Sequence, residues 1–427
     1  MRIVSRLIIG FAVLTAMNAC AKKAQDMSDA ADNVIRWAYW GSETRVKRSQ
    51  TAIELYRIDN PEISVNSEVS GGAGDHFTKV DTQLAGGAGP DIIQMGGNIA
   101  DYVRRGVLLP LDQFAGGTLD TQAIDPSALE SGVVDGRLYG VSTGVTMAAL
   151  VYNKSLIERH GVPLPKIAQT YTEFHDYLTT LKAKLPQGIY PMQDIGAQPS
   201  NSTPFGYWLR YNGAPLYIEE TNSTAMTSMD AKKYLDLFKD YRDAGLIPPP
   251  DVSAGYAETN ADTSALIAGR VAISYCWTNQ LAGLQAATQD ELELMEFPGA
   301  EETKALWPAP SQFYTVNKDS KKPEEAVRFI DFLVNSVSAA EALGNDRGAS
   351  ASAIARSVGA SDPVDQRVLD FLSAAATHSS KETPHLPNDT EFNSTLFLIY
   401  QQVAFGQIDT EQGGQQIYEL VQRMLKK

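Results

Sequence analysis

The sequence predicts an α/β protein of two domains. Its 427 residues exceed the roughly 250–300 at which a single hydrophobic core stops growing and chains divide. Strand signals alternate with helical spacing through its first third, which argues for helices layered on a largely parallel sheet. Hydrophobic side chains make up 43% and charged ones 20% of the chain, the mix of a folded globular protein.

The chain opens on Arg2 and Arg6, followed by the apolar run Leu7 to Ala16. That run is shorter than the roughly 20 residues a membrane span needs, but it suits the apolar core of a secretory signal. Two processing readings stay open. Met17-Asn18-Ala19-Cys20 resembles a bacterial lipobox in which Cys20 is lipidated and becomes the mature N-terminus, with Asn18 a departure from the pattern. Alternatively Ala19-Cys20-Ala21 is an A-x-A cleavage site that releases the protein into the periplasm. On either reading residues 1–20 are signal peptide or lipobox, residues 21–33 are a polar flexible tether, and the protein leaves the cytoplasm. Cys276, the second of the two cysteines, has no partner for a disulfide. No later segment is long and apolar enough to cross a membrane.

Val34 to Trp40 is a short apolar and aromatic strand, Gly41 to Thr44 a turn, and Val46 to Tyr56 a helix. Pro61 closes that unit, and Ile63 to Val69 alternates like a second strand. Thr78 to Leu84 has helical spacing, Gly86 to Pro90 breaks it, and Asp91 to Met95 is a third strand. Leu138 to Asn153, rich in Val, Thr and Ala, reads as one long, nearly continuous strand. Helices follow at Ser155 to His160, Tyr171 to Lys184 and Ala231 to Ala244, the last stopped by Gly245 and the prolines 248–250. Val271 to Tyr275 and Ser311 to Val316 are strands, Pro323 to Val334 is an amphipathic helix opening on proline, and the C-terminal third is mainly helical.

The 36 basic and 51 acidic side chains leave a formal net charge of −15. Without a basic stripe to reverse it locally, this balance repels phosphate backbones and excludes nucleic acid as a partner. No cysteine or histidine spacing fits a zinc site, so no metal or cofactor is expected.

Gly140-Val141-Ser142-Thr143-Gly144 matches G-x-S-x-G, the nucleophile elbow of serine hydrolases. The elbow needs a helix immediately after the serine, yet Val145 to Tyr152 reads as strand; His378 and His385 downstream do not repair that. Gly71 to Gly74 and Gly86 to Gly89 fit no phosphate loop and read as flexible turns. Glycosidase carboxylates must face one bond at a set separation, and the sequence selects no such pair. Aromatic placement is more informative. Trp40 ends a strand, Tyr207 and Trp208 follow Gly206, Tyr275 and Trp277 close the Val271 strand, and Trp307 precedes a proline. Ligands of open α/β sheets bind beyond the carboxyl ends of strands. Flat rings suit the C–H faces of sugars, while Asp91 and Gln94 offer partners for hydroxyls.

Six segments together resemble family 1 of the extracellular solute-binding proteins of ABC transporters, the maltose-binding-protein-like group. They are Trp40 to Arg45, Thr82 to Ile92, Leu138-Tyr139-Gly140 with Leu150 to Lys154, Ala268 to Ile273, Lys318 to Ala326, and Arg347-Gly348. Ala349-Ser350 and Met95-Gly96-Gly97 depart from the family pattern. The resemblance implies a two-lobed periplasmic-binding-protein fold of type II, with a ligand cleft between lobes joined by a hinge of chain crossings. It implies an N-terminal lobe of residues 34–145 plus 308–346 and a C-terminal lobe of 146–307 plus 347–427. It further implies a monomeric, non-enzymatic receptor that binds a mono- or oligosaccharide and delivers it to the importer's membrane permease, touching the membrane only through a lipid anchor. Carried over residue by residue, the ligand-binding positions are Trp40, Ser42, Asp91, Gln94, Thr146, Trp277, Trp307 and Arg347, with Tyr207, Trp208 and Tyr275 from the second lobe. Arg45 would meet a carboxylate if the sugar were a uronate, or else pair with a neighbouring acid. The alternatives are an exported hydrolase, acting through Ser142 or as a glycosidase, and the same fold holding a non-sugar solute.

Overall fold

A computed structural model describes residues 33–426 other than 167–169, 200, 257–263, 359–361, 382–385 and 388. The expected leader with Cys20, all but the last residue of the expected tether, and His385 lie outside the described residues. Described strands are, in chain order, β1 (Val34–Trp40), β2 (Ser64–Ser70), β3 (Ile92–Met95), β4 (Gly140–Ser142), β5 (Gly144–Asn153), β6 (Tyr190–Met192), β7 (Val271–Trp277), β8 (Leu292–Met295), β9 (Pro308–Pro310), β10 (Phe313–Val316) and β11 (Ala349–Ser350), besides a two-residue hairpin before β4. The helices used below are α1 (Glu43–Asp59), α2 (Ala73–Ala85), α3 (Thr203–Tyr211), α4 (Ser228–Asp243), α5 (Pro323–Asn335), α6 (Val337–Leu343), α7 (Ala353–Val358), α8 (Pro363–Ala376) and α9 (Asp389–Ala404).

Two sheets, each with its own core, organise these elements. The first runs β2-β1-β3-β10-β4, with β1 parallel to β2 and β3 and with β10 antiparallel to β3 and β4. Strand side chains alternate between faces. Ile35, Trp37 and Tyr39 therefore pack on Tyr56 of α1 and Phe329 of α5, while Ala38 meets Val80 of α2 on the opposite face. The second sheet runs β8-β5-β7-β6, with β9 and β11 pairing to the start of β5. Nearly all of β5 is buried, as expected of a strand covered on both faces. Leu150, Ile273 and Tyr275 of this sheet share a core with Phe174, Tyr234 and Phe238.

The long strand expected over Leu138 to Asn153 is broken at Tyr139 and again at Thr143. The second break is the crossing between sheets: β4 belongs to the first and β5 to the second. Thr143 is turned out of both ladders, its N–H donating to Gln312 O (2.9 Å) and its hydroxyl to Arg347 O (2.8 Å). The strand expected over Ser311 to Val316 is formed over Phe313 to Val316 as β10, and the chain crosses a second time between β9 of the second sheet and β10 of the first. A third crossing runs through Arg347 to Ser350. Backbones touch there: a Cβ on Gly144 would lie 2.3 Å from Ala349 O, and one on Gly348, whose φ is +95°, 2.8 Å from Val145 O. These glycines are present because no side chain fits.

Two further details differ from expectation. Gly72 is the N-cap of α2, so the second half of the Gly71 to Gly74 turn is already helix. The packing also departs from a division at residue 347. After β11 the chain stays with the first unit, Ala351 joining its core and accepting from Asp125 N at 2.9 Å. It rejoins the second at α8, where Arg367 donates to Leu292 O (2.6 Å).

Candidate functional site: a cleft between two sheets

The strands end toward a shared opening. From the first sheet β1 ends at Trp40 and β3 gives way to Gly96-Gly97-Asn98; from the second, β7 ends at Trp277. A cleft of about 1200 Å³ lies between, lined by these residues, by Pro310, Ser311 and Gln312 of the second crossing and by Asp346 beside the third. It exceeds the roughly 300–1,000 Å³ usual for small-molecule pockets. Carboxyl ends of strands are where open α/β sheets hold ligands.

Trp40, Ser42, Thr146, Trp277 and Trp307 all line this cleft. Trp40 is half-buried and backed by His76 and Phe77, with ring centroids 5.0 and 5.6 Å away. His76 is 1% exposed and its Nε2 lies 2.9 Å from Gln94 O, which fixes the tautomer with hydrogen on Nε2; burial lowers its pKa to about 4. Ser42 caps α1 by accepting from Arg45 N. Thr146 shares its hydroxyl with Thr278 (2.9 Å) and Asn279 (3.2 Å). Trp307 is covered by the Arg210 guanidinium, 4.6 Å from the ring centroid.

The other six expected residues lie off the cleft. Asp91 precedes β3, at the amino end of the strand, where it accepts from Arg36 N (2.9 Å) and Ser320 Oγ (2.6 Å). Gln94 is fully buried and accepts from Arg347 Nε at 3.0 Å. Arg347 is 3% exposed, its guanidinium 5.3 Å from the Trp37 ring and 5.2 Å from the Tyr39 ring, and donates to Ser49 Oγ (2.7 Å). It is an interior residue. Tyr207 is buried and donates to Pro298 O (2.9 Å). Trp208 packs edge-on to Tyr171 in the second core. Helix periodicity explains both corrections: Thr203, Gly206 and Arg210 form the cleft face of α3, and residues 207 and 208 are rotated away from it. Tyr275 is buried but holds a cleft residue in place, its hydroxyl accepting from Asn201 Nδ2 at 2.8 Å.

Several cleft residues carried no sequence signal of their own. Gln198, Asn201, Asn279, Gln312, Asp346 and Asn393 bring amides and a carboxylate to the wall. Their only hint was polar residues flanking strand ends or crossings. Arg45 is committed to the protein: it donates to Trp40 O (3.1 Å) and to Asp346 O, with Nε 3.8 Å from Asp346 Oδ1. Burial lowers its guanidinium to about 10 against the pull of Asp346, so it stays charged at neutral pH. Asn279 reaches the same Asp346 carbonyl (3.5 Å) and Ser311 Oγ (3.0 Å), so this carbonyl joins the two walls. Ser142 is 1% exposed, donates to Gly144 O at 3.1 Å and is followed by strand, so it is no nucleophile elbow. Among the described residues no group of three or more His, Cys, Asp or Glu could hold a metal ion. No described helix is long and apolar enough to cross a membrane.

The sequence pattern of the family described as bacterial extracellular solute-binding protein matches residues 42–340. A putative binding protein of Brucella abortus is 29% identical over 114 residues, 26% of this chain and 27% of that protein, so the chain spans about a quarter of its length. The galactooligosaccharide-binding protein of Bacillus subtilis is 24% identical over 364 residues, 80% of this chain and 78% of that one. Among solved structures, a periplasmic oligogalacturonide binding protein from Yersinia enterocolitica, in complex with saturated digalacturonic acid, superposes with a TM-score of 0.79 at 24% identity. The match covers 92% of this chain and 98% of that one, and shows a shared two-lobed fold.

Proposed function

The chain belongs to the bacterial extracellular solute-binding protein family, and from that premise we propose that it is the exported receptor of an ABC importer, binding an oligosaccharide between its lobes. The observation that carries this reading is the cleft of about 1200 Å³ in which Trp40, Trp277 and Trp307 share the wall with amides and hydroxyls. Indoles cover the apolar faces of sugar rings, and amides and carboxylates meet their hydroxyls. A cleft larger than most small-molecule pockets suits several linked rings. The names of the Bacillus and Yersinia proteins point to the same ligand class.

Closure of the lobes on the sugar presents the closed form to the permease; the ligand need only bind that form better. No chemical step is part of the reading, which the buried, strand-bound Ser142 supports. The lobes in this proposal are residues 34–142 with 313–358, and 144–310 with 363–426, following the sheet to which each segment packs. The protein works as a monomer outside the cytoplasm, tethered through Cys20 or released. A non-sugar solute has no specific observation in its favour.

Thermal unfolding against a panel of mono- and oligosaccharides tests the reading. A ligand at a hundredfold excess over its Kd stabilises the fold by about 2.7 kcal/mol, which moves the midpoint by several degrees. A panel of neutral and acidic oligosaccharides that leaves the midpoint unmoved would overturn it.

A further inference from the structure

Ionised groups line the cleft without leaving a surplus of either sign. Four arginines face four aspartates there, and the lining has no lysine or glutamate. Arg45 is held by the Asp346 carbonyl and carboxylate. Arg104 pairs with Asp101 at 2.9 Å. Arg105 pairs with Asp81 at 2.8 Å while lying 4.4 Å above the Tyr102 ring. Arg210 covers Trp307 and donates to the Ser380 hydroxyl and the Lys381 carbonyl. Each cation of the wall therefore already has an acceptor within the protein.

Unmet hydrogen-bonding capacity in the same wall is mostly of the accepting kind. Asp346 Oδ2, Gln312 Oε1 and Asn393 Oδ1 have no partner among the described residues, and their residues are 4%, 5% and 6% exposed. The orientation of Asn393 is fixed by its amide donating to the Asp389 carboxylate (3.0 Å), which leaves its oxygen as the unpartnered atom. On the donor side there is Gln198 Nε2, in a residue 5% exposed. Buried acceptors left unmet are costly, and a hydroxyl satisfies them where a carboxylate, itself acceptor-only, cannot.

We propose that this cleft selects neutral oligosaccharides against uronate-bearing ones, with Asp346 Oδ2 as the acceptor that enforces the choice. A sugar carboxylate at Asp346 Oδ2 would set two acceptors against each other, with each arginine of the wall already committed. The formal net charge of −15 adds a long-range term of the same sign, since it steers anions away. Specificity of this kind comes from the repulsive element as much as from the attractive ones. The inference rests on the carbohydrate reading above and narrows it. It also separates this chain from its structural neighbour bound to digalacturonic acid.

The test uses a matched pair, digalacturonate and its dimethyl ester, with galactotriose as a second neutral probe. Titration calorimetry on the full mature chain at fixed ionic strength should give the ester or galactotriose a Kd at least tenfold below that of the acid. Asp346→Asn, checked for folding by its thermal midpoint, should shrink that ratio severalfold, because its amide can donate to the carboxylate. The wild-type comparison stands alone if this variant fails to fold. Digalacturonate binding as tightly as its ester would overturn the selectivity and leave the sugar reading standing. An unchanged ratio in a folded Asp346→Asn would remove Asp346 from its role. If spermidine alone binds, or nothing does, the carbohydrate reading falls and the selectivity with it.

Discussion

Among the described residues, two arginine–tryptophan pairs have similar geometry and opposite use. Arg347 lies 5.3 Å from the Trp37 ring inside the first lobe, and Arg210 lies 4.6 Å from the Trp307 ring at the cleft wall. Trp37 is fully buried with Tyr39 at 4.4 Å, and Arg347 is satisfied from within by Gln94, Ser49 and Asp346. Trp307 instead lines a space shared with Trp40 and Trp277. The same two residue types brace a core in one place and line the cleft between the lobes in the other. The difference lies in what surrounds them, because charges in a core must have every partner supplied by the protein.

Variants can break or sharpen this contrast. Arg347→Met should cost the most, about 3 kcal/mol or more, because it leaves the buried Asp346 carboxylate short of a partner. Urea unfolding measures that loss, and sugar affinity per folded molecule should stay within a few-fold. A collapse of affinity at unchanged stability would put Arg347 in the cleft after all.

His76, behind Trp40, gives a pH signature of the next size. Its folded pKa of about 4 lies below the ordinary 6.5, so the unfolded chain binds the extra proton between these values. Stability is present in full above about pH 6.5 and falls by roughly 2–3 kcal/mol as pH drops toward 4, at about 1.4 kcal/mol per unit. Denaturant midpoints across that window should show the slope in wild type and lose most of it in His76→Gln.

Trp277→Ala inverts the first variant. It should weaken sugar binding by roughly 1–3 kcal/mol, by analogy with ring stacking on bases, while changing the thermal midpoint less than Arg347→Met does. Calorimetry that finds normal affinity would move the ligand off this wall. Arg105→Ala should be the mildest. Its pair with Asp81 is 44% exposed on both sides, and such surface pairs are worth about 0–1 kcal/mol. A larger loss of stability would mean that the rim is more tightly braced than its exposure indicates.

Local structure was the legible part of the sequence. An apolar, aromatic run marked β1, alternation marked β2, and proline and glycine punctuation marked the C-terminal end of α4 and the start of α5. Residues at strand ends, Trp40 and Trp277, were legible as cleft lining for the same reason, since their position followed from the strand itself. Asp91 was misplaced because a strand has two ends, and the motif around it does not say which one faces the opening. Gln94 and Arg347 were misplaced because a residue near a site in sequence can be turned inward to serve its neighbours, and only packing decides that. The break at Thr143 was invisible because its cause is long-range: partners at Gln312 and Arg347 lie far along the chain.

The position of β10 between β3 and β4 bears on the order in which the protein can assemble. Emerging residue by residue, the chain delivers β1 to β4 long before Phe313 to Val316, so the first sheet stays split, with β3 and β4 each lacking a neighbour. Synthesis must pass residue 316 before that gap closes, and residue 351 before Ala351 completes the core beneath it. The lobe that begins first therefore finishes late. A chain cut at residue 312 should expose two unpaired strand edges and aggregate rather than yield a soluble half.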